Sequence, residues 1–247
     1  MATVEPASDT ISSASADLDA LRGVGPESPC PYLPDRQSRN EAYRVDVLDG
    51  ALYERLLSRG FRRSGRAVYR PRCRGCRLCV SIRVPVESFL PSRSLRRVSR
   101  RNGDVRMIVG DPQPTPLKYR LYTNYLDRQQ DETMSRDYGS FLAFLYDSPT
   151  ETVEFTYILG ARLIGASIAD LTPSGLSSVY MYFDPDFRDR GLGTLSILRE
   201  IAWCREQGLA YYFLGFHVAG SRTMDYKARF RPHERLMGDE NWVAASA

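Results

Sequence analysis

A group of closely spaced cysteines is the first part of the sequence with the residue types for chemistry. Cys73, Cys76 and Cys79 lie in CRGCRLC, and Cys30 lies upstream beside a proline. In a reducing compartment, C-x-x-C spacing marks a metal or redox site more often than a disulfide framework. With Cys30 as a fourth thiolate, the set suits tetrahedral zinc or an iron–sulfur cluster. The alternative is a group of reduced, metal-free thiols that only packs neighbouring strands.

A glycine-containing turn is the second such part. The apolar run VYMYF is followed by Arg188, Arg190, Gly191 and Gly193, and then directly by a helical pattern. Glycine at a strand-to-helix turn lets backbone N–H groups and the helix N-terminus approach a phosphate, and arginines add countercharge. The alternative is a turn whose glycines serve packing alone.

Side chains able to take or relay a proton occur near this turn. A peptide α-amine has a pKa of about 7.7–8.0, so its acylation needs positioning, loss of one proton and support for an oxyanion. The candidates are Asp186, Tyr182 and Asp225. An aspartate beside proline is also a natural turn former, and a tyrosine on a strand is usually half core. Spacing joins neither His217 nor His233 to a partner, and we assign them no role.

The basic residues are concentrated in one segment. The formal net charge is +4, but residues 59–106 contain fifteen arginines and only two acids. Such a segment creates a positive field whose usual partner is a phosphate polymer. The alternative is a solvated basic surface without a ligand.

Length and composition are those of a globular protein. The chain has 247 residues, of which 43% are hydrophobic and 26% charged, which excludes a wholly disordered or fibrous chain. Its apolar runs fall short of the roughly 18 residues that a membrane span needs. The acidic, Ala- and Ser-rich start resembles neither a secretion signal nor a transit peptide. We therefore expect a cytoplasmic protein with no membrane partner.

The sequence pattern predicts an α+β fold in two domains after a tail. We expect a flexible tail over 1–28, a basic N-terminal α/β domain with the Cys knuckle over 29–112, and a transferase domain over 113–247. In the second segment, 61–69 is predicted as one strand leading into the cysteines, and Ser92–Asn102 as a basic helix. In the third, strand-like runs at 152–159, 162–170 and 176–183 suggest an antiparallel meander, followed by the glycine turn, a largely enclosed helix and another strand. This order resembles the mostly antiparallel core of the GNAT acetyltransferases.

Several longer stretches resemble the arginyl- and leucyl-tRNA–protein transferases, and most closely the bacterial aspartate/glutamate leucyltransferases. The stretches that carry the resemblance are CPYLPDR (30–36), GFRRSGRAVYRPRCRGCRLCVSIRVPV (60–86), FLPSRSLRRVSRRN (89–102), YFDPDFRDRGLGTLSILREI (182–201) and YYFLGFHVAGSRTMDYKARFRPHERL (211–236). Together they span most of the chain, in order.

The resemblance implies an enzyme that moves leucine from leucyl-tRNA to the N-terminal amine of proteins beginning with Asp or Glu, marking them for degradation. An aminoacyl ester is already activated, which fits the lack of a P-loop in the sequence. For the cysteines, the related eukaryotic enzymes favour an iron–sulfur cluster. The residues that we expect to bind the tRNA donor are Arg93, Arg96, Arg97, Arg188, Arg190, Gly191, Gly193 and Lys227.

Three other functions remain open at the level of sequence. Arginine could replace leucine as the donor amino acid, because the aminoacyl pocket is scattered along the chain. An N-acetyltransferase using acetyl-coenzyme A would share the glycine turn, although it does not need so large an excess of positive charge. An RNA-binding or redox-sensing protein built on the knuckle would bind RNA without transferring an amino acid.

Overall fold

The computed structural model describes residues 10–11, 23–129, 134–238 and 240–245. Of the expected flexible tail, residues 1–9 and 12–22 lie outside this description. Helices and strands alternate along the described chain, and nearly all neighbouring strands are antiparallel, which confirms the α+β class. Among the described helices, none is long and apolar enough to cross a bilayer.

The strands, in chain order, are β1 (Thr10–Ile11), β2 (Ser28–Pro29), β3 (Gln37–Ser38), β4 (Asn40–Val45), β5 (Arg62–Ser64), β6 (Ala67–Pro71), β7 (Cys79–Pro85), β8 (Val105–Gly110), β9 (Thr152–Leu159), β10 (Arg162–Thr172), β11 (Gly175–Phe183), β12 (Tyr211–Val218), β13 (Glu234–Leu236) and β14 (Trp242–Ala244). The α-helices are α1 (Gly50–Ser58), α2 (Arg93–Arg101), α3 (Pro116–Gln129), α4 (Tyr138–Phe141) and α5 (Leu192–Glu206). A π-helical turn covers Leu142–Tyr146, and 3₁₀ helices cover Pro185–Arg190 and Asp225–Arg229.

An eight-stranded sheet forms the centre of the molecule. Its strand order is β14-β13-β7-β12-β11-β10-β9-β8. Strands β8 to β11 form an antiparallel meander, whereas β11 and β12 are parallel and are joined by α5. Parallel neighbours require such a crossover, since a tight turn only reverses the chain. The predicted meander, helix and following strand are therefore confirmed.

The residues on either side of the cysteines belong to different sheets. Strand β6 lies in a four-stranded sheet with the order β1-β4-β6-β5, whereas β7 lies between β12 and β13 of the central sheet. The single strand expected over 61–69 is wrong, because a turn at Gly65 (φ 57°) divides it into the β5–β6 hairpin. Strands β7 and β8 precede residue 112 and share the sheet of the later strands, so the two expected segments are joined through one sheet.

Helix α5 is enclosed, as its apolar pattern predicted. Its buried side chains pack in the largest hydrophobic cluster with residues of β7, β9 and β12. Glu200, in the middle of this helix, is also fully buried. It accepts hydrogen bonds from the hydroxyls of Tyr157 (3.0 Å) and Tyr212 (2.6 Å), and burial raises the pKa of its carboxyl. These bonds fix the helix against β9 and β12.

A buried ion pair connects the small sheet to the central one. Arg63 on β5 donates to both carboxylate oxygens of Asp170 on β10, at 2.7 and 2.8 Å, and both side chains are fully buried. Tyr53 of α1 and Thr152 of β9 also donate to this carboxylate, at 3.1 and 2.8 Å. Four donors from three elements therefore meet on one acid, which offsets the desolvation of its charge.

Removing the arginine of this pair is expected to destabilise the protein strongly. Arg63→Gln leaves Asp170 buried without its charge partner, and we expect a loss of about 3–5 kcal/mol in the free energy of unfolding. Arg66→Gln is the matched control, because Arg66 lies 2.7 Å from Asp147 but the two side chains are 31% and 46% exposed. Its loss should stay below about 1 kcal/mol. Urea titration measures both, and equal losses would contradict the assignment.

Candidate active site

The candidate site surrounds the point where β11 and β12 separate. These parallel strands pair at only three positions, the last being Ser177 opposite Phe213, although both continue further. Strand β12 is displaced by a bulge at Gly215 (φ 90°), which lies in the left-handed region that favours glycine. The strands therefore leave a gap in the sheet beyond Ser177, and the backbone groups along the gap lack strand partners across it.

The predicted glycine turn lies at the start of α5, after β11 and the 3₁₀ helix Pro185–Arg190. Gly191 adopts a left-handed conformation (φ 69°, ψ 46°) and is the N-cap residue of α5. Gly193 is different, because a Cβ added there would meet only the ring of Phe183, at 4.0 Å. Packing therefore does not require glycine at 193. The first-turn N–H groups of α5 lack intrahelical acceptors, as in any α-helix, which suits an anion.

The basic helix α2 lies directly beside this turn. The side chain of Val98 would be 3.8 Å from a Cβ added at Gly191, and the side-chain amide of Asn102 donates to the carbonyl of Arg190 at 2.9 Å. Arg101 donates to the carbonyl of Asp189. The structure thus unites the basic helix and the glycine turn. Three predicted tRNA contacts are exposed on α2: Arg93, Arg96 and Arg97.

The two arginines of the turn differ in their surroundings. Arg190 donates to both oxygens of Asp104, at 2.8 and 3.0 Å, so it joins the turn to the start of β8. Arg188 is exposed, and within the described part of the chain its side chain has no ion pair. Arg188 is therefore the better placed of the two to meet a phosphate.

Many arginines of the segment 59–106 are already paired with acids. The carboxylate of Glu41 forms ion pairs with both Arg70 and Arg72, at 2.8 Å each. Burial alone would raise the pKa of this carboxyl, but the hydrogen bonds from the two arginines lower it to about 2. Arg83 lies 2.6 Å from Glu234. These acids come from outside the segment, so the number of arginines in the segment overstates the positive charge that it presents to solvent. Among the residues that the structure describes, the unpaired arginines of the segment are concentrated on α2.

Two of the three proposed proton acceptors, Tyr182 and Asp186, make contacts that serve the fold. Tyr182 is fully buried, its hydroxyl lies 3.2 Å from that of Tyr146, and burial raises its pKa above the ordinary value. Asp186 is exposed in the 3₁₀ helix before the turn, 3.7 Å from Arg162. Its backbone N–H donates to the carboxylate of Asp184. The two aspartates therefore take part in a turn beside Pro185, as expected of aspartates next to a proline.

The third, Asp225, has a partner that the sequence did not indicate. Its carboxylate lies 3.0 Å from Nε2 of His217, which is buried on β12 just beyond the bulge. The two residues lie in different elements, His217 on β12 and Asp225 in the 3₁₀ helix, so only the return of the chain after β12 brings them together. The imidazole of His217, on β12 at the gap, is therefore hydrogen-bonded to the exposed carboxylate of Asp225.

Lys227 is buried rather than exposed to RNA. Its ammonium donates to the carbonyl of Phe216 at 3.0 Å. Burial, together with the nearby guanidinium of Arg62, lowers the pKa of Lys227 to about 7. Lys227 therefore lies at the gap, but not on the basic surface of α2.

The four cysteines of the knuckle are near one another as free thiols. Burial raises the pKa of Cys79 to about 12, with further contributions from Cys73, Cys30 and Cys76. Four thiols suit zinc or an iron–sulfur cluster in donor chemistry. In the described ranges, however, no group of three or more His, Cys, Asp or Glu side chains is placed to hold a metal ion. A metal or cluster at the Cys knuckle therefore stays a prediction from the sequence.

Comparison with known proteins gives matches along most of the chain. Residues 28–97 match the family "Arginine-tRNA-protein transferase, N terminus", and residues 117–237 match "Arginine-tRNA-protein transferase, C terminus". The aspartate/glutamate leucyltransferase of Stenotrophomonas maltophilia (strain K279a) is 40% identical over 223 residues, which cover 86% of this chain and 88% of that protein.

Solved structures show likeness in fold alone. The C-terminal domain of a putative lysylphosphatidylglycerol synthetase from Agrobacterium fabrum covers 82% of this chain and 65% of that chain, with a TM-score of 0.51 and 12% identity. A GCN5-related N-acetyltransferase-like protein from Streptococcus suis covers 85% of this chain and 80% of that chain, with a TM-score of 0.34 and 11% identity.

The two matched regions define an aminoacyltransferase of the arginine-tRNA–protein transferase class. Within that class, the identity to curated relatives over nearly their whole length is decisive. The chain belongs to the aspartate/glutamate leucyltransferase family.

Replacing the buried lysine is expected to change how stability depends on pH. Between pH 7 and 10.5 the unfolded chain binds a proton at Lys227 that the folded protein has lost, so the wild type gains stability as pH rises through this window. Relative to Lys227→Met, the wild type should gain roughly 2–3 kcal/mol from pH 7 to 9 and show no relative change below pH 6.

Chemical denaturation across this pH range measures the difference. Arg229→Met, an exposed position in the same 3₁₀ helix, should follow the wild type at every pH. A constant gap between wild type and Lys227→Met would show that Lys227 keeps an ordinary pKa in the folded protein.

Proposed function

We propose that this protein transfers leucine from leucyl-tRNA to the α-amine of proteins that begin with Asp or Glu. The observation that carries the proposal is the 40% identity to an aspartate/glutamate leucyltransferase over 86% of the chain. The product has a new N-terminal leucine, and proteins marked in this way are degraded. Leucine is preferred to arginine as the donor because the similar full-length relatives carry the name leucyltransferase.

The exposed arginines of α2 and Arg188 would hold the tRNA, and the glycine turn would receive phosphates near its 3′ end. Phosphate contacts dominate RNA affinity, and helix α2, which carries these arginines, packs beside the N-terminus of α5. The end of β11 leads from this turn to the gap between β11 and β12. An ester bound along that path would present its carbonyl carbon at the gap.

The acceptor amine would attack that carbon at the gap. The nitrogen forms a bond to the carbonyl carbon, and the bond between that carbon and the tRNA ribose oxygen breaks. The amine loses one proton, and the ribose oxygen takes up one proton to leave as a hydroxyl. His217 and Asp225 are the side chains best placed to take that proton, since the ring lies on β12 at the gap and its partner is exposed to solvent. Asp225 thus keeps the catalytic role predicted from the sequence, now through His217.

A direct transfer assay tests the function. The protein is incubated with a mixture of charged tRNAs and with peptides that differ only in their first residue, and mass spectrometry reads both donor and acceptor. We expect a mass increase of one leucine on peptides beginning with Asp or Glu. Addition of arginine would change the donor, and transfer from acetyl-coenzyme A with none from tRNA would overturn the proposal.

Gly193→Ala is expected to weaken donor binding without loss of the fold. Alanine has room at this position and is favoured in helices by about 1 kcal/mol over glycine. The methyl group would obstruct a phosphate on the first turn of α5, so the KM for leucyl-tRNA should rise roughly tenfold, or about 1.4 kcal/mol. Gly110→Ala, at an exposed glycine with open space around it, is the control. An unchanged KM would place the RNA elsewhere.

Removing two arginines of α2 is expected to reduce both tRNA affinity and its salt dependence. In Arg93→Gln/Arg97→Gln, the slope of log K against log salt should fall by roughly 0.7–0.9 for each phosphate that the variant no longer neutralises. Arg128→Gln, an exposed arginine at the end of α3, should leave the slope unchanged. Binding titrations at several salt concentrations give the slopes. Identical slopes for all variants would remove α2 from the RNA surface.

A further inference from the structure

Two buried cations meet at the bulge of β12. A Cβ added to Gly215 would lie 3.3 Å from Nζ of Lys227 and 4.0 Å from Nε of Arg62. Arg62 comes from β5 of the small sheet and is 5% exposed, and Lys227 comes from the 3₁₀ helix after β12 and is 9% exposed. Both charged groups therefore face the backbone at Gly215, where only glycine leaves them room.

Within the described residues, no carboxylate pairs with either cation. Arg62 donates through Nη1 to the hydroxyl of Ser177 at 3.2 Å, while its buried Nε and Nη2 have no hydrogen-bond partner. The nearby Asp170 is taken by Arg63, with both of its oxygens bound.

Other buried cations of this chain have carboxylate partners. Arg63 lies 2.7 Å from a carboxylate oxygen, and Arg70 lies 2.8 Å from one. Burying a charge without a counterion costs several kcal/mol, and two like charges repel each other in addition. Arg62 and Lys227 thus form a buried positive centre that lacks its anion.

The two cations reach the bulge from different faces of the sheet. Side chains alternate between faces along β12: Tyr212 and Leu214 pack in the cluster that contains α5, whereas Phe213 packs in the cluster that contains α1. The guanidinium of Arg62 lies 5.9 Å from the ring of Phe213, on the α1 side. The exposed arginines of α2 belong to the α5 side. Tyr226 and Phe230, on either side of Lys227, pack in the cluster that contains α5, so an anion between the two cations would lie in the gap of the sheet itself.

We propose that Arg62 and Lys227 bind the side-chain carboxylate of the acceptor's first residue. This inference rests on the proposed function, in which that residue is Asp or Glu. The cations lie where β11 and β12 separate, because Arg62 contacts Ser177 of the last pair and Lys227 lies at Gly215, two residues beyond Phe213. A bound side chain would therefore hold its own α-amine at the gap. A single carboxylate would neutralise the repelling pair, whereas Asn or Gln would leave both charges uncompensated.

The test measures discrimination between charged and neutral acceptors. The kcat and KM values of the wild type, Arg62→Met and Lys227→Met are determined for two peptides that differ only in beginning with Asp or Asn. We expect the wild type to prefer Asp by roughly 100-fold or more in kcat/KM, because the uncharged amide leaves the buried cations unpaired. In both variants the preference should fall below about tenfold, mainly through a higher KM for the Asp peptide. Arg229→Met is the control and should keep the wild-type preference.

The outcomes separate this inference from the proposed function. If the wild type transfers leucine to neither peptide, the proposed function fails. If the wild type transfers leucine but the variants keep the Asp preference, the carboxylate site is wrong and the function stands. A raised KM for leucyl-tRNA in the variants, with an intact Asp preference, would mean that the cations bind RNA, and would also overturn the inference.

A binding measurement covers the case in which Arg62→Met does not fold. The dipeptide Asp-Ala should raise the melting temperature of the wild type more than Asn-Ala does, and Lys227→Met should abolish the difference. Equal shifts by both dipeptides in the wild type would contradict the site, whatever the stability of the arginine variant.

Discussion

The short parallel contact between β11 and β12 is the constraint around which the rest of the molecule is arranged. After three paired positions the bulge at Gly215 displaces β12, and β7 pairs with its other edge, so the sheet stays continuous while a gap opens within it. The 3₁₀ helix Pro185–Arg190 connects the end of β11 to helix α5, which packs against both β11 and β12. The face with α5 carries the basic helix, and the buried cations meet at the gap itself.

Charge is distributed by the fold rather than by position along the chain. The basic segment 59–106 contains only two acids, yet several of its arginines bind carboxylates contributed by distant elements, such as Glu41, Asp170 and Glu234. These pairs join the small sheet to the central one and neutralise much of the local charge. Among the described residues, one group of uncompensated cations is exposed on α2 and another is buried at Gly215. The two groups suit different anions.

The predictions from sequence succeeded where the controlling interactions are local, and failed where they are not. The amphipathic pattern of α5 and the cap at Ser92 depend on neighbours a few residues away, so both helices appear where predicted. Tyr182 was selected for its position before the glycine turn, but the strand directs its ring into a buried aromatic cluster. His217 was given no role, because its partner reaches it only when the chain folds back across β12.

The amino-acid sequence by itself determined the family, the α+β class, the order of strands around the glycine turn and the excess of arginine before residue 106. These properties reside in composition, short-range periodicity and motifs, which a linear chain displays. Only the tertiary structure decided which charges are neutralised, since an ion pair such as Arg63–Asp170 joins residues far apart in sequence. It also decided that Lys227 is buried beside Arg62, because the desolvation and repulsion that change its pKa arise only when β5 and the 3₁₀ helix pack against the same bulge.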